Sequence, residues 1–192
     1  MEIYFIRHGK TPANEGKLYC GQTDLPLSDE GVSNLDDLKK KGIYPNGIDL
    51  FFTSGLLRTE QTLELIYGSV HREAIPDLAE YKFGCFEMKG HRELEDNSDY
   101  QAWISDDTGS VPCPGGENKQ QFVCRILNGY KLLLEKSRLA GAVLAIGHGG
   151  VITYIMDHLF PDVRHFYEWQ PEPGRGYMLV YTSKVLQGYK EV

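Results

Sequence analysis

Three short stretches of this chain put a cation, or a side chain that can become one, beside glycine. Arg7-His8-Gly9 follows the apolar run Ile3 to Ile6. Arginine offers a planar, permanently charged fork that fits phosphate oxygens. Histidine serves as nucleophile or general acid/base near neutral pH, and glycine lets the backbone turn sharply at a strand end. Gly147-His148-Gly149-Gly150 lies between a second apolar run and a helical pattern. Its glycines bring backbone close to a ligand, and a helix N-terminus there presents free N–H groups to an anion. It is not a dinucleotide fingerprint, because Thr153 lacks the third-glycine role and no P-loop lysine follows. The third stretch is Thr53-Ser54-Gly55-Leu56-Leu57-Arg58-Thr59, again strand into helix. A cation in a first helical turn is unfavourable, so a compensating anion is expected near Arg58. Singly, each stretch reads equally as a turn or a solvated arginine. Three strand ends that each supply a cation are more specific together.

The elements needed to position them alternate along the chain. Strands are predicted at Ile3–Ile6, Asp49–Thr53, Glu73–Leu78, Ala142–Ile146 and Tyr177–Thr182, with a short edge strand in the tail. Pro76 demotes the third toward an edge. Helices are predicted over Ser28–Lys41, capped by Ser28 with Val32, Leu35 and Leu38 on one face, and over Leu56–Tyr67. Two more run from Pro114-Gly115-Gly116-Glu117 to about Ser137 and from Val151 to Leu159. The stretch Tyr81 to Gly116 is irregular, with one helix near Asp99–Ile104. Strand–helix alternation with apolar strands predicts an α/β fold: a mostly parallel central sheet with helices on both faces. Ligands in such sheets bind beyond the carboxyl ends of the strands.

Composition bounds the partners. The 192 residues suit one domain, with 41% apolar and 24% charged residues, which argues against disorder. Net charge is -7, and the densest basic stretch is only Lys39-Lys40-Lys41. Nucleic acid is therefore a poor partner, while a local cationic pocket can still take an anionic substrate. No apolar run approaches the roughly 18 residues of a membrane helix. The N-terminus does not read as a signal peptide. The four cysteines, Cys20, Cys85, Cys113 and Cys124, show no metal-like spacing and read as free thiols in a cytoplasmic protein.

The motifs resemble those of the histidine phosphatase superfamily, the phosphoglycerate mutase-like group. Its opening R-H-G-x-T-x-x-N stands as Arg7-His8-Gly9-Lys10-Thr11-Pro12-Ala13-Asn14. Its S-x-x-x-R-[TA]-x-x-T segment runs from Ser54 to Thr62, and its L-x-E-x-x-F-G-x-x-E segment from Leu78 to Glu87. Gly115-Gly116-Glu117 and His148-Gly149-Gly150 complete the order. The resemblance implies one domain over residues 1–192, with a cap-like insertion around 81–116. It implies His8 as the nucleophile that becomes phosphohistidine, with Arg7, Arg58 and His148 holding the phosphoryl oxygens. Glu80 is implied as proton donor and then acceptor, with Glu87 as its rival. Asn14 and Gly149 are further substrate contacts, and no metal or cofactor is implied.

Physical chemistry agrees with these roles. Phosphoryl transfer is mostly positioning and charge stabilisation. Nearby Arg7 and Arg58 should keep His8 neutral, and one carboxyl group can serve both proton transfers in turn. Glu117 is expected in the first turn of a helix, in a structural role. His158, His165, His71 and His91 fall outside the motifs, and Cys85 reads as a small filler.

Some positions depart from the family pattern. Phe86 stands where tryptophan is usual, Met88 where glycine is, Lys10 where an acidic residue or glutamine is, and Gly147 where serine is common. The mutase branch also carries a Y-G-x-L-x-G-x-N-K stretch and an arginine pair, and this chain has neither. A small-molecule phosphomonoesterase, alpha-ribazole phosphatase-like or broad in specificity, is therefore the expected function. A cofactor-dependent phosphoglycerate mutase and a non-catalytic phosphate-binding protein are the alternatives. Tyr100 and Trp103 are expected to cover the site, with Tyr19, Trp169 and Gln170 approaching it. Such aromatics suggest an apolar or ring-bearing leaving group, and equally fit a place in the core. Nothing in the sequence sets the oligomeric state.

Overall fold

Alternating burial along the strands builds one sheet with two cores, in a computed structural model that describes residues 1–192. The strands are β1 (Glu2–Arg7), β2 (Leu50–Thr53), β3 (Glu73–Ala74), β4 (Ala142–Gly147), β5 (Gly176–Thr182) and β6 (Val185–Glu191), in the order β3-β2-β4-β1-β5-β6. The first four are mutually parallel; β5 runs antiparallel to β1, and β6 antiparallel to β5. The helices are α1 (Pro12–Glu15), α2 (Asp29–Lys40), α3 (Leu57–Tyr67), α4 (His91–Leu94), α5 (Ser98–Ile104), α6 (Lys119–Lys136) and α7 (Gly149–Leu159). Side chains alternate across a strand. Ile3, Phe5, Val143 and Ala145 therefore join one core, with Phe122 and Ile126 of α6 and Ile152 and Ile155 of α7. Ile6, Leu144 and Ile146 join the other, with Leu35 and Leu38 of α2 and Leu63 and Ile66 of α3. No helix is long and apolar enough to cross a membrane.

Three boundaries differ from expectation. The strand predicted over Glu73–Leu78 ends at Ala74, because Pro76 opens a 3-10 turn through Leu78; it is an edge strand, as Pro76 suggested. Helix α6 starts at Lys119, where Asn118 and Gln121 form a reciprocal cap, so Glu117 precedes the helix. Helix α7 starts at Gly149, with His148 at its N-cap.

Register sets the location of the site. Arg7 of β1 pairs with Gly147 of β4, and Thr53 of β2 pairs with Ile146. Three parallel strands thus end at one edge of the sheet, and His8, Ser54 and His148 are the first residues beyond it.

Candidate active site

His8 leaves β1 with its backbone N–H on Gly147 O at 3.0 Å. Gly9 then turns under α2, where a Cβ would lie 2.7 Å from Leu35 Cδ1. The His8 ring is 6% exposed, and its Nδ1 lies 2.7 Å from Gly9 O. A carbonyl only accepts, so Nδ1 carries the proton and Nε2 keeps its lone pair. Arg58 Nε–H donates toward that lone pair at 3.3 Å. Burial pushes the His8 pKa down to about 3; the Arg58 cation, then Arg7, push the same way, against the Gly9 carbonyl. Desolvation thus exceeds the arginine effect anticipated from sequence. The unfolded chain takes up this proton near pH 6.5, and the folded chain does so only near pH 3. Stability is therefore lost as pH falls through that window, by about 2 kcal/mol for this one group between pH 6.5 and 5. Chemical denaturation at pH 7 and pH 5 should show that extra loss in the wild type and not in His8→Ala. Equal losses in both proteins would contradict a neutral buried His8.

Arg58, 1% exposed, sits in the first turn of α3. No carboxylate of the protein pairs with it; neutral carbonyls grip the guanidinium. Its Nη2 donates to Gly21 O at 2.6 Å and its Nη1 to Thr23 O at 3.0 Å. With Nε toward His8, three of the five N–H groups an arginine carries are used, leaving two for an anion. Asp24 Oδ1 accepts from Leu57 N at 2.7 Å and supplies the side-chain cap that Leu56 lacks.

Glu87 builds the loop that presents those carbonyls. Its carboxylate accepts from the backbone N–H groups of Gly21, Gln22, Thr23 and Phe83 and from the Thr23 hydroxyl. Gly21 is required there, because a Cβ would lie 1.6 Å from Tyr81 O. The rival acid is thus committed to holding the Arg58 cradle. A carboxamide cannot accept at its nitrogen, and each unmatched buried group costs about 1–3 kcal/mol. Glu87→Gln should therefore lower kcat/KM for p-nitrophenyl phosphate by on the order of 10–100-fold. Unchanged kinetics would refute the cradle.

His148 is fully buried. Its Nε2 lies 2.8 Å from Ser54 Oγ, and its Nδ1 has no partner within the protein. Its ring centroid is 5.2 Å from that of His8, edge to face. Burial, then the charge of Arg58, hold its pKa well below the usual histidine range. Arg7 donates through Nη1 to Pro171 O at 2.8 Å, and its buried Nε is likewise unpartnered. Gly149 admits the Arg7 guanidinium, since a Cβ there would lie 3.2 Å from Arg7 Cζ. Two polar hydrogens or lone pairs without partners in one buried cluster of cations describe an anion pocket.

Glu80 lies at the rim. Its carboxyl accepts from Gly150 N and Tyr81 N, both at 2.9 Å. Gly150 permits this, as a Cβ would stand 2.5 Å from Glu80 Oε1. Arg125 rivets the segment to α6 by donating to the carbonyls of Asp77, Ala79 and Glu80 and pairing with Glu117. Glu117 keeps the structural role expected of it, through Arg125 rather than through a helix dipole. Asn14 turns its carboxamide oxygen to the Thr11 N–H and hydroxyl, leaving its NH2 group to offer.

A cleft of about 690 Å³ adjoins this cluster through Arg7 and also takes in Asn14, Glu80 and Gly150, while His8, Arg58 and His148 are buried and outside its lining. Tyr81, Phe83 and Trp103 line it from the 81–116 segment, and Tyr154, Phe166 and Tyr167 from α7 and the turn beyond. Tyr19 and Gln170 reach it as expected. Trp169 and Tyr100 do not; both are buried in the core. Lys10 pairs with Glu30 outside the cleft. Sequence reasoning missed the Gly21–Asp24 loop and Arg125. The glycine and polar run Gly21-Gln22-Thr23-Asp24 was the available signal for the loop.

A family model described as the histidine phosphatase superfamily (branch 1) matches residues 3–186. The adenosylcobalamin/alpha-ribazole phosphatase of Escherichia coli is 32% identical over 163 residues, covering 83% of this chain and 79% of the relative. A 2,3-bisphosphoglycerate-dependent phosphoglycerate mutase of Beijerinckia indica is 25% identical over 174 residues, covering 83% of each. The crystal structure of the alpha-ribazole phosphatase from Shigella flexneri superposes with a TM-score of 0.84 at 27% identity, covering 97% of this chain and 93% of that one.

Proposed function

The chain belongs to the histidine phosphatase superfamily, and on that premise we propose that it hydrolyses small ring-bearing phosphomonoesters through a phosphohistidine on His8. The observation that carries this reading is the buried His8 with its Nδ1 on Gly9 O and its Nε2 beside the Arg58 guanidinium, next to His148.

In the first step Nε2 attacks phosphorus and the ester P–O bond breaks. Arg7, Arg58 and His148 hold the three equatorial oxygens and spread their charge. The leaving alkoxide takes its proton from Glu80. The imidazole keeps its Nδ1–H on Gly9 O, so the phosphorylated ring is cationic and leaves readily. In the second step the Glu80 carboxylate takes a proton from water, the water oxygen attacks phosphorus and the P–N bond breaks. Phosphate departs, with His8 neutral and Glu80 protonated again. Two guanidiniums supply the charge, so the reaction needs no metal.

Residues 81–116 act as a cap whose aromatics receive the leaving group. The alpha-ribazole phosphatase relatives make a ribazole-like phosphate the leading substrate. Beyond Arg7, Lys119 is the one cation lining the cleft, which is little for a mutase that must hold a product carboxylate. A cytoplasmic setting suits the four free cysteines.

Phosphate release from a panel of phosphomonoesters, in the presence of chelator, tests this. Ring-bearing esters should exceed 3-phosphoglycerate in kcat/KM by about tenfold or more, as one well-filled apolar contact of 1–3 kcal/mol allows. Isomerisation of 3-phosphoglycerate with a bisphosphate primer, without net release, would make it a mutase. Phosphate binding without turnover would make it a binding protein.

A further inference from the structure

We infer that Ser54 is a positioning residue that sets the tautomer of His148, so that Nδ1–H is the group offered to the phosphoryl oxygen. The inference rests on the phosphohistidine reading of this site and adds to it the group that makes a neutral second histidine a donor.

His148 is neutral in the free protein, because burial and the neighbouring cations disfavour its protonated form. A neutral imidazole donates through one nitrogen only. If the proton sat on Nε2, Nδ1 would turn a lone pair toward the anion and repel it. The tautomer therefore decides whether His148 helps or hinders.

The hydroxyls around Ser54 favour one direction. Thr59 Oγ1 donates its hydrogen to Leu56 O at 2.7 Å. Leu56 N–H points to Ser54 Oγ at 3.4 Å, which occupies one of that oxygen's two lone pairs. Ser54 has one hydrogen to give and two acceptors in reach: His148 Nε2 at 2.8 Å and Thr59 Oγ1 at 3.3 Å. The shorter contact, to the better base, takes it. Nε2 is then an acceptor and Nδ1 carries the proton. That proton sits on a buried nitrogen for which the protein supplies no partner, as is also true of the neighbouring Arg7 Nε. Ser54 is 4% exposed and Thr59 wholly buried, so bulk water does not compete for these hydrogens. His8 is set in the same sense by a different group: Gly9 O holds its Nδ1–H and leaves the Nε2 lone pair on the Arg58 side of the ring. One histidine is thus made a nucleophile and its neighbour a donor.

The test is the nitrogen-15 spectrum of the histidine rings in the full-length protein at pH 7, with and without inorganic phosphate. The expected result is a His148 ring with Nδ1–H and a bare Nε2, whose Nδ1–H resonance shifts on adding phosphate. In Ser54→Ala the Nε2–H form should appear, with kcat/KM lowered about 10–100-fold, the usual cost of removing a group that orients a functional imidazole. A merely structural Ser54 would leave the ring tautomer unmoved. Nε2–H in the wild type overturns the inference and leaves the phosphohistidine reading intact. Nδ1–H that phosphate does not move overturns His148 as a phosphoryl contact, and this inference with it. Undiminished kcat/KM in Ser54→Ala overturns the inference alone.

Discussion

His8→Ala should lower kcat/KM for every phosphomonoester by at least about 10⁴-fold, the scale on which enzymes lose turnover when their nucleophile is removed. The reason is geometric. The rival side chains are poorly placed or poorly activated: His148 turns its Nε2 to Ser54, and Cys20, although it lines the cleft, donates its thiol hydrogen to Thr23 O and has its pKa pushed up by burial, which disfavours the thiolate. Removing the ring leaves Arg58 with its two carbonyl partners, so the anion pocket should survive and inorganic phosphate should still bind. Steady-state rates beside a phosphate titration separate the two effects. Turnover above a hundredth of the wild-type value would remove His8 from its role.

Glu80→Gln should divide substrates by leaving group. For alkyl phosphates kcat/KM should fall about 10²–10⁴-fold, the range associated with a positioned proton donor. For p-nitrophenyl phosphate, whose leaving group needs little protonation, kcat/KM should fall by less than about tenfold, because it reports only steps through phosphoenzyme formation. Its kcat should nevertheless drop, since water then lacks its base and the phosphoenzyme accumulates. A burst of p-nitrophenol followed by a slow steady state is the expected trace. Equal losses in kcat/KM for both ester classes would return the proton to another group. Glu87 is a poor candidate for it, with its carboxylate occupied by the Gly21–Thr23 loop.

The parts of the site legible in the sequence were those governed by local pattern. Apolar runs ending in Arg7-His8-Gly9, Thr53-Ser54-Gly55 and Gly147-His148-Gly149 identify strand ends, and parallel pairing in register brings all three to one edge. What the sequence concealed depends on contacts between distant residues. Glu87 reaches 66 positions back to Gly21, and Arg125 reaches 45 back to Glu80. Neither spacing leaves a local signature. Gly115-Gly116 looked like a helix start and is a close approach instead: Gly116 lies against Lys82, where a Cβ would be 2.1 Å from the carbonyl oxygen. That packing delays α6 to Lys119. Aromatics in irregular segments serve either core or ligand, so local pattern does not separate Trp169 and Tyr100 from residues that line the cleft. Only the tertiary packing distinguishes them: Trp169 stacks edge-on with Tyr177 and Tyr189. Tyr100 lies behind Tyr19, sharing its hydroxyl hydrogen bond.

The central claim is that the phosphoryl group passes through His8 Nε2. A single turnover with phosphorus-32-labelled substrate, quenched in alkali during the burst, tests it most directly. The account predicts a label bound to the protein, stable to base and labile to acid, carried on the peptide containing His8 and attached at Nε2. It should form before phosphate appears and decay as phosphate is released. Release of labelled phosphate with no protein-bound intermediate, or label on any residue other than His8, would contradict it.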